Sequence, residues 1–404
     1  MSPLIRSQSK AAVYVAATRQ HVGKTSTCLG LLHGLTRRLD RIGFLKPVGQ
    51  ESVTVESGSL RVDKDVAVAK GINTNHFQLC DTAIHLLFVF KLNTCNYADM
   101  SPVVIIPGYT KRFLDGNITV ESQLDKIRTS FKRISKANEF TVVEGTGHTG
   151  VGSIVDCNNA RIAAELGVDM VLVANGGLGS AFDDLALNYS MCKAHGVKIR
   201  GVILNKVLEN RVEMLQEYFP KAMKYWGENI PLLGIVPNLP TLSNASMLDF
   251  EGLFATEMWT SRTRRFQQYD KTTLVTAGLR RFLEKLISPE FERTLFVTHV
   301  SRNDIIMSFL SHAQNFEFMT KRPYGGGLIL TGSPSDDQPQ DYIMNMIKNA
   351  QTPVLYVPTT TFEAMEKITH FTTKFNPTDT DKIQACGEHY ANHIDFDAVL
   401  DILT

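Results

Sequence analysis

Ala17-Thr18-Arg19-Gln20-His21-Val22-Gly23-Lys24-Thr25-Ser26 lies between an apolar run, Ala11 to Ala17, and an amphipathic one, Thr25 to Leu35. An apolar strand, a loop closing on Gly-Lys-Thr and then a helix make up the P-loop arrangement. Gly23 lets backbone N–H groups approach phosphate oxygens, Lys24 reaches the outer phosphates, and the Thr25 hydroxyl can ligand Mg²⁺ at a helix N-terminus. The usual first glycine is Thr18 here, and the small residue sits one step earlier at Ala17, a longer gap that marks a sub-family. The plain alternative is an ordinary strand-to-helix turn; the setting between strand and helix favours the phosphate cradle.

Outward from the loop, Arg41 to Lys46 reads as a strand stopped by Pro47, which places Lys46 at a strand's C-terminal end, where open parallel sheets bind ligands. Such a lysine is either a solvated end residue or a partner for phosphate or an activated carboxylate. Asp63 and Asp65 precede a short helical pattern and can serve as N-caps, and Asp65 also as a Mg²⁺ carboxylate. Thr119, followed by Glu121 and Gln123, opens an amphipathic helix to Ala137. Phe140 to Val143 then runs into Glu144-Gly145-Thr146-Gly147, a strand presenting an acid where the backbone turns tightly. Helix at Asn158 to Leu166, strand at Asp169 to Ala174, the glycine-rich loop Asn175 to Ser180, strand at Lys198 to Leu204 ending in Asn205, helix at Glu209 to Trp226 and a strand ending at Pro237 continue the alternation. Strands that are apolar throughout predict an α/β fold with a parallel sheet covered by helices on both faces.

At 404 residues, with 43% hydrophobic content and a net charge of +1, the chain is long enough for two domains and too balanced to predict nucleic-acid or membrane binding. The few residues ahead of the first strand predict no leader, and six scattered cysteines predict a reducing, cytoplasmic setting. Residues 71–96 carry an apolar run containing His85, too short to span a bilayer and without a functional account.

Ala17 to Ser26, Lys46-Pro47-Val48, Asp65, Val143-Glu144-Gly145 and Asn205 together resemble the dethiobiotin synthetase type of P-loop ATPase. The wording of Val142 to Leu208 is more similar to the related N-terminal domain of long phosphotransacetylases and of cobyrinic acid a,c-diamide synthase-like proteins. The resemblance implies ATP and Mg²⁺ as ligands. His21, Val22, Gly23, Lys24, Thr25, Ser26, Asn205 and Pro237 would contact the nucleotide, with Asn205 reading the base. Thr25, Asp65 and Glu144 would complete the metal site, and Lys24 and Lys46 would act on the transferred phosphoryl. Arg19, Gln20 and His21 replace the small hydroxyl and acidic residues of that family's loop, and Gly49-Gln50 replaces its small residues after Lys-Pro-Val.

Past Pro240 the composition shifts. Arg262-Thr263-Arg264-Arg265 is a basic cluster read as a solvated face, or else as an anion or nucleic-acid site, and Leu274 to Ile287 reads as an amphipathic helix. From Thr294 a second α/β pattern begins, with strands at Leu295 to Thr298, Gly327 to Thr331 and Val354 to Val357. Phe296 to Ile305 and Gly326 to Gly332 resemble the DRTGG domain, with Ser301 either a helix N-cap or part of a small-ligand pocket. The expected division is therefore a P-loop domain at 1–245, a helical connector at 246–290 and a smaller DRTGG-like α/β domain at 291–404.

No transferase domain follows in this sequence, and Cys386 falls in a helical pattern instead of at a nucleophile turn, so glutamine amide transfer is not expected. Two functions follow. One is a nucleotide-sensing regulatory module acting on an acetyl-transfer enzyme; the other is a ligase that activates a small carboxylate or carbamate, with an amine among its substrates. The resemblance also implies a homo-oligomer, most simply a dimer.

Overall fold

The computed structural model describes residues 11–70, 92–335 and 338–403. The apolar run at 71–96 and its His85 thus lie largely outside the described residues; Leu92 and Cys95 are buried. The chain divides into two compact units, one carrying it to Leu239 and taking it up again from Phe375, the other spanning Pro240–Lys374.

The first unit is built on a six-stranded parallel sheet. Its strands are β1 (Ala11–Ala17), β2 (Ile42–Leu45), β3 (Phe140–His148), β4 (Met170–Asn175), β5 (Ile199–Val207) and β6 (Leu232–Pro237). They lie in the order β6-β5-β4-β1-β3-β2. Helices α1 (Lys24–Thr36), α2 (Lys64–Lys70), α3 (Val120–Ala137), α4 (Asn159–Leu166), α5 (Gly179–Ala194) and α6 (Val212–Trp226) connect them. Val13, Tyr14, Val15, Val142, Val143, Leu172 and Val202 are fully buried, as a sheet covered on both faces requires. Thr119 caps α3 by accepting from the Ser122 amide, as the sequence predicts. Because neighbours run parallel, every loop that leaves a strand's C-terminal end gathers on one edge, and β1 at the centre sets the P-loop there. The register pairs Val15 with Glu144 and Asn175 with Asn205, so those groups meet on that edge.

The second unit has a parallel sheet of four strands in sequence order, β7 (Lys271–Leu274), β8 (Thr294–His299), β9 (Gly327–Thr331) and β10 (Val354–Val357). Helices α7 (Met247–Phe254), α8 (Leu279–Leu286), α9 (Asn303–Thr320), α10 (Asp341–Asn349) and α11 (Thr361–His370) cover it. Alternate residues of β8 feed two cores: Phe296 packs with Phe309 and Tyr324, whereas Leu295 and Val297 pack with Met247, Phe250 and Leu355.

Several boundaries differ from expectation. The expected connector at 246–290 belongs to the second unit, supplying α7 and the edge strand β7. Leu274 ends that strand, and α8 begins only at Leu279. Ser301 does not cap α9; its hydroxyl pairs with His299 Nδ1. The arginines of the basic cluster are spent locally, Arg262 on Glu257, Arg264 on Glu317 and Arg265 on Glu251. Finally, α12 (Thr380–Ala391) and α13 (Phe396–Leu403) do not continue the second unit but pack in the first, α12 along α1. Among the described residues no helix is long and apolar enough to cross a membrane.

Candidate functional site

The loop between β1 and α1 is held from three sides. Thr18 donates its amide to the Val173 carbonyl at 2.9 Å and its own carbonyl accepts from Asn188 Nδ2 at 2.8 Å. Asn188 Oδ1 in turn accepts from the amide and hydroxyl of Thr149. Arg19 pairs with Asp184 at 3.2 Å, and Lys206 Nζ donates to the His21 carbonyl at 2.8 Å. His21 (φ 60°) and Gly23 (φ 95°) both take left-handed backbone, which turns the loop into the helix N-terminus. At Gly23 a side chain would also collide with Asn205 Nδ2, so glycine is required there twice over.

Five residues singled out from the sequence converge beside this loop. Lys24 Nζ lies 2.7 Å from Glu144 Oε1, and the Thr25 hydroxyl donates to that same oxygen at 3.0 Å. Lys46 Nζ reaches Glu144 Oε1 at 3.1 Å and Asp65 Oδ2 at 2.5 Å. Glu144 is 1% exposed and Lys46 2%, so these are charges removed from water. Burial works against the Lys46 ammonium, but the Asp65 and Glu144 carboxylates overcome it and hold its pKa well above the ordinary lysine value. Burial likewise opposes ionisation of Asp65, yet Lys46 and Lys24 hold its carboxyl well below the usual carboxylate range.

Asp63, left as a possible cap, does that work and more. Its Oδ1 accepts from the Asp65 amide, capping α2, and its Oδ2 accepts from the amides of Gln50 and Glu51. Burial raises its pKa. It thereby fixes the turn after Lys46 and the start of the helix that offers Asp65. A side chain at Gly49 would strike this carboxylate at 2.5 Å. The two aspartates thus divide the roles: one shapes backbone, the other faces the lysines.

Two cations and two facing carboxylates are balanced, so an entering polyphosphate would add uncompensated negative charge unless it brought a divalent cation. The hard oxygen donors Thr25, Asp65 and Glu144 suit Mg²⁺. Among the described residues no three His, Cys, Asp or Glu side chains gather as a complete cage, so phosphate and water oxygens would fill the remaining positions.

Asn205 and Pro237 stand at the other end of the same edge. Asn205 is buried; its Nδ2 donates to the Val22 carbonyl at 2.7 Å, and its Oδ1 accepts from the Tyr390 hydroxyl at 2.8 Å. The Pro237 carbonyl accepts from His389 Nε2 at 2.9 Å. Tyr390, His389, Asn188 and Asp63 were not identified as site residues from sequence. A buried asparagine inside α5 and a tyrosine near the end of the chain carry no local signature of a loop far away.

Comparison with known proteins matches residues 11–246 to a family described as AAA domain and residues 254–371 to the DRTGG domain. A phosphate acetyltransferase of Nitratidesulfovibrio vulgaris is 23% identical over 95% of this chain and 50% of its own length, and that of Pseudomonas putida is 24% identical over 95% and 50%. The chain spans about half the length of these curated relatives. The ATP-dependent dethiobiotin synthetase BioD of Methanocaldococcus jannaschii is 24% identical over 55% of this chain and 92% of that protein. The MinD cell division protein of Aquifex aeolicus aligns over 57% of this chain and 84% of its own at 14% identity, with a TM-score of 0.34. The chain belongs to the AAA domain family, with a DRTGG domain following it.

Proposed function

We propose that this member of the AAA domain family binds a magnesium nucleotide, with ATP as its physiological form, and acts as a nucleotide-sensing regulatory module. The observation that carries the reading is the convergence of Lys24, Thr25, Lys46, Asp65 and Glu144 on one loop. His21, Val22, Gly23 and Ser26 supply the cradle's backbone, Lys24 the charge on the outer phosphates, and Thr25, Asp65 and Glu144 the oxygens for Mg²⁺ when it is bound. Before a ligand enters, Lys24 and Lys46 neutralise the two carboxylates; phosphate oxygens would draw the ammonium groups off and free the carboxylates for the cation. The AAA and DRTGG domains together align with half the length of phosphate acetyltransferase relatives, which supports regulation of an acetyl-transfer enzyme. Unpaired buried cysteines among the described residues agree with a cytoplasmic setting, and the reading includes a homodimer.

A second reading is favoured by one observation: Lys46, buried against both carboxylates, is placed to neutralise charge on a transferring phosphoryl, as a ligase acting on a small carboxylate or carbamate requires. Two measurements separate the readings. In calorimetric titration Lys24→Ala should lose binding of MgATP by 100-fold or more, on the order of 3 kcal/mol; equal binding by parent and variant rejects the cradle. In a turnover assay with carboxylates, amines and bicarbonate, a sensor gives negligible ADP with every acceptor, and acceptor-stimulated ADP formation would replace the sensor by the ligase.

A further inference from the structure

The edge carrying the cradle has two directions. Towards β3 and β2 lie Glu144, Lys46 and Asp65, which claim the outer phosphates and the cation, so the remainder of a ligand must extend towards β4, β5 and β6. There, any group recognised at the strand ends would meet Asn205 Oδ1 and the Pro237 carbonyl, both hydrogen-bond acceptors suited to an exocyclic amine. Each already accepts from a donor of one helix, the Tyr390 hydroxyl and His389 Nε2 of α12, whose side chains stand on the approach to that oxygen. The Pro237 carbonyl can only accept, so His389 carries its proton on Nε2. Burial pushes the Tyr390 phenol well above its ordinary pKa, which keeps it a donor.

This helix is built in. Gly30 and Gly34 of α1 leave no room for a side chain, because a Cβ at the first would collide with the Tyr390 Cβ and at the second with the Phe396 ring; at Gly387 of α12 a Cβ would meet the His33 ring at 2.9 Å. Tyr390, Cys386 and Phe396 are buried, and the Cys386 thiol lies 3.6 Å from the Ser26 carbonyl. Two glycines, Gly30 and Gly387, bring α1 and α12 together as closely as a packed core does, and Gly34 does the same for α1 and α13.

We infer that α12 fills the nucleoside end of the site, so that the cradle takes the phosphate chain of its ligand and leaves the base unread. Tyr390 and His389 stand against the acceptors that a base amine would otherwise approach. The ligand class is then a magnesium-bound triphosphate group, whether carried by a purine nucleoside or free as inorganic tripolyphosphate. This rests on the reading that the cradle binds a magnesium polyphosphate.

The test uses the full chain and calorimetric titration with MgATP, MgGTP and magnesium tripolyphosphate at equal free Mg²⁺. The three dissociation constants should agree within tenfold. MgATP binding more than tenfold tighter than either of the others overturns the inference and leaves the magnesium-nucleotide reading standing, whereas binding of none of the three overturns that reading and the inference with it. Hydrogen–deuterium exchange gives a second check without any variant. Amides of residues 380–391 should exchange no faster on addition of saturating MgATP, and faster exchange there would show the helix leaving to admit a base and overturn the inference.

Discussion

The two ends of the strand edge in the first unit solve burial differently. On the β3–β2 side, Lys24, Lys46, Asp65 and Glu144 are held by charge, each removed from water to a different degree and each paired with an opposite charge. On the β5–β6 side, Asn205, Pro237, Tyr390 and His389 are held by neutral hydrogen bonds and by a glycine-lined helix contact. Buried charges are stable only as a set, since loss of one leaves its partners without compensation. Neutral pairs tolerate the loss of a single bond but resist any added volume. The first arrangement can trade a lysine for a phosphate; the second has nothing to exchange.

Lys46→Met tests the charged end and should give the largest effect. It leaves Glu144 1% exposed and Asp65 facing it without their shared cation, so urea unfolding should show a loss of about 3–5 kcal/mol. Adding Glu144→Gln should recover part of that loss, because the uncompensated charge goes with it. A double variant as unstable as the sum of the two single ones would mean that the cluster is not coupled. The Lys46 contribution also has a pH signature. Its native pKa is raised, so the stability is fully present below the unfolded value of about 10.4 and disappears as the pH rises through the native one. Burial also raises the pKa of Tyr390 and Tyr269, which both chains share, so the parent should lose more stability on the alkaline side than Lys46→Met does.

The neutral end is broken by volume. Gly34→Ala places a methyl group into the Phe396 ring, and unfolding should cost about 1–3 kcal/mol, with faster hydrogen exchange in α13. Gly252→Ala is the matching control: it lies inside α7 with open space around it, and alanine there should be neutral or stabilise by up to about 1 kcal/mol. Equal effects of the two changes would mean that the α1 contact is not tight.

The same contrast explains what the sequence made legible. Lys24-Thr25 after Gly23, Lys46 before Pro47 and Glu144 before Gly145 each announce themselves locally, as a charged group at the end of an apolar run, and parallel pairing then does the gathering. The strands Gly327–Thr331 and Val354–Val357 were equally plain, because their apolar stretches are short and bounded by glycine or proline. Asn205 was visible as a strand-end amide, but its partners were not, since Tyr390 is 185 residues away. Gly30 and Gly34 carry no local signal in sequence; only the arrival of Tyr390 of α12 and Phe396 of α13 makes them a docking surface. Leu274 was drawn into a helix because apolar spacing at a strand's end and a helix's start is continuous in sequence, although the chain turns between them.

The smallest effect comes from His33, which sits at the α1–α12 contact with its ring against Gly387. Burial lowers its pKa first, the Arg37 guanidinium lowers it further, and the Glu388 carboxylate opposes both without prevailing. A histidine whose native pKa is depressed is neutral in the folded protein and binds its proton more readily when unfolded. Its contribution is therefore present above the unfolded value of about 6.5 and is lost as the pH falls from there through the native value. His312 in the second unit is shifted in the same direction by burial, so the measurement must be a difference between chains that share it. Urea midpoints of the parent and of His33→Gln, taken at about pH 7.5 and about pH 5.5, supply that difference. The parent should lose more stability on acidification than the variant, and the protection of residues 380–391 relative to intrinsic amide exchange should fall in the parent alone. Equal acid sensitivity in both chains would mean that the helix contact takes no part in the titration, and that its cohesion rests on Gly30, Gly387 and the Tyr390–Asn205 bond.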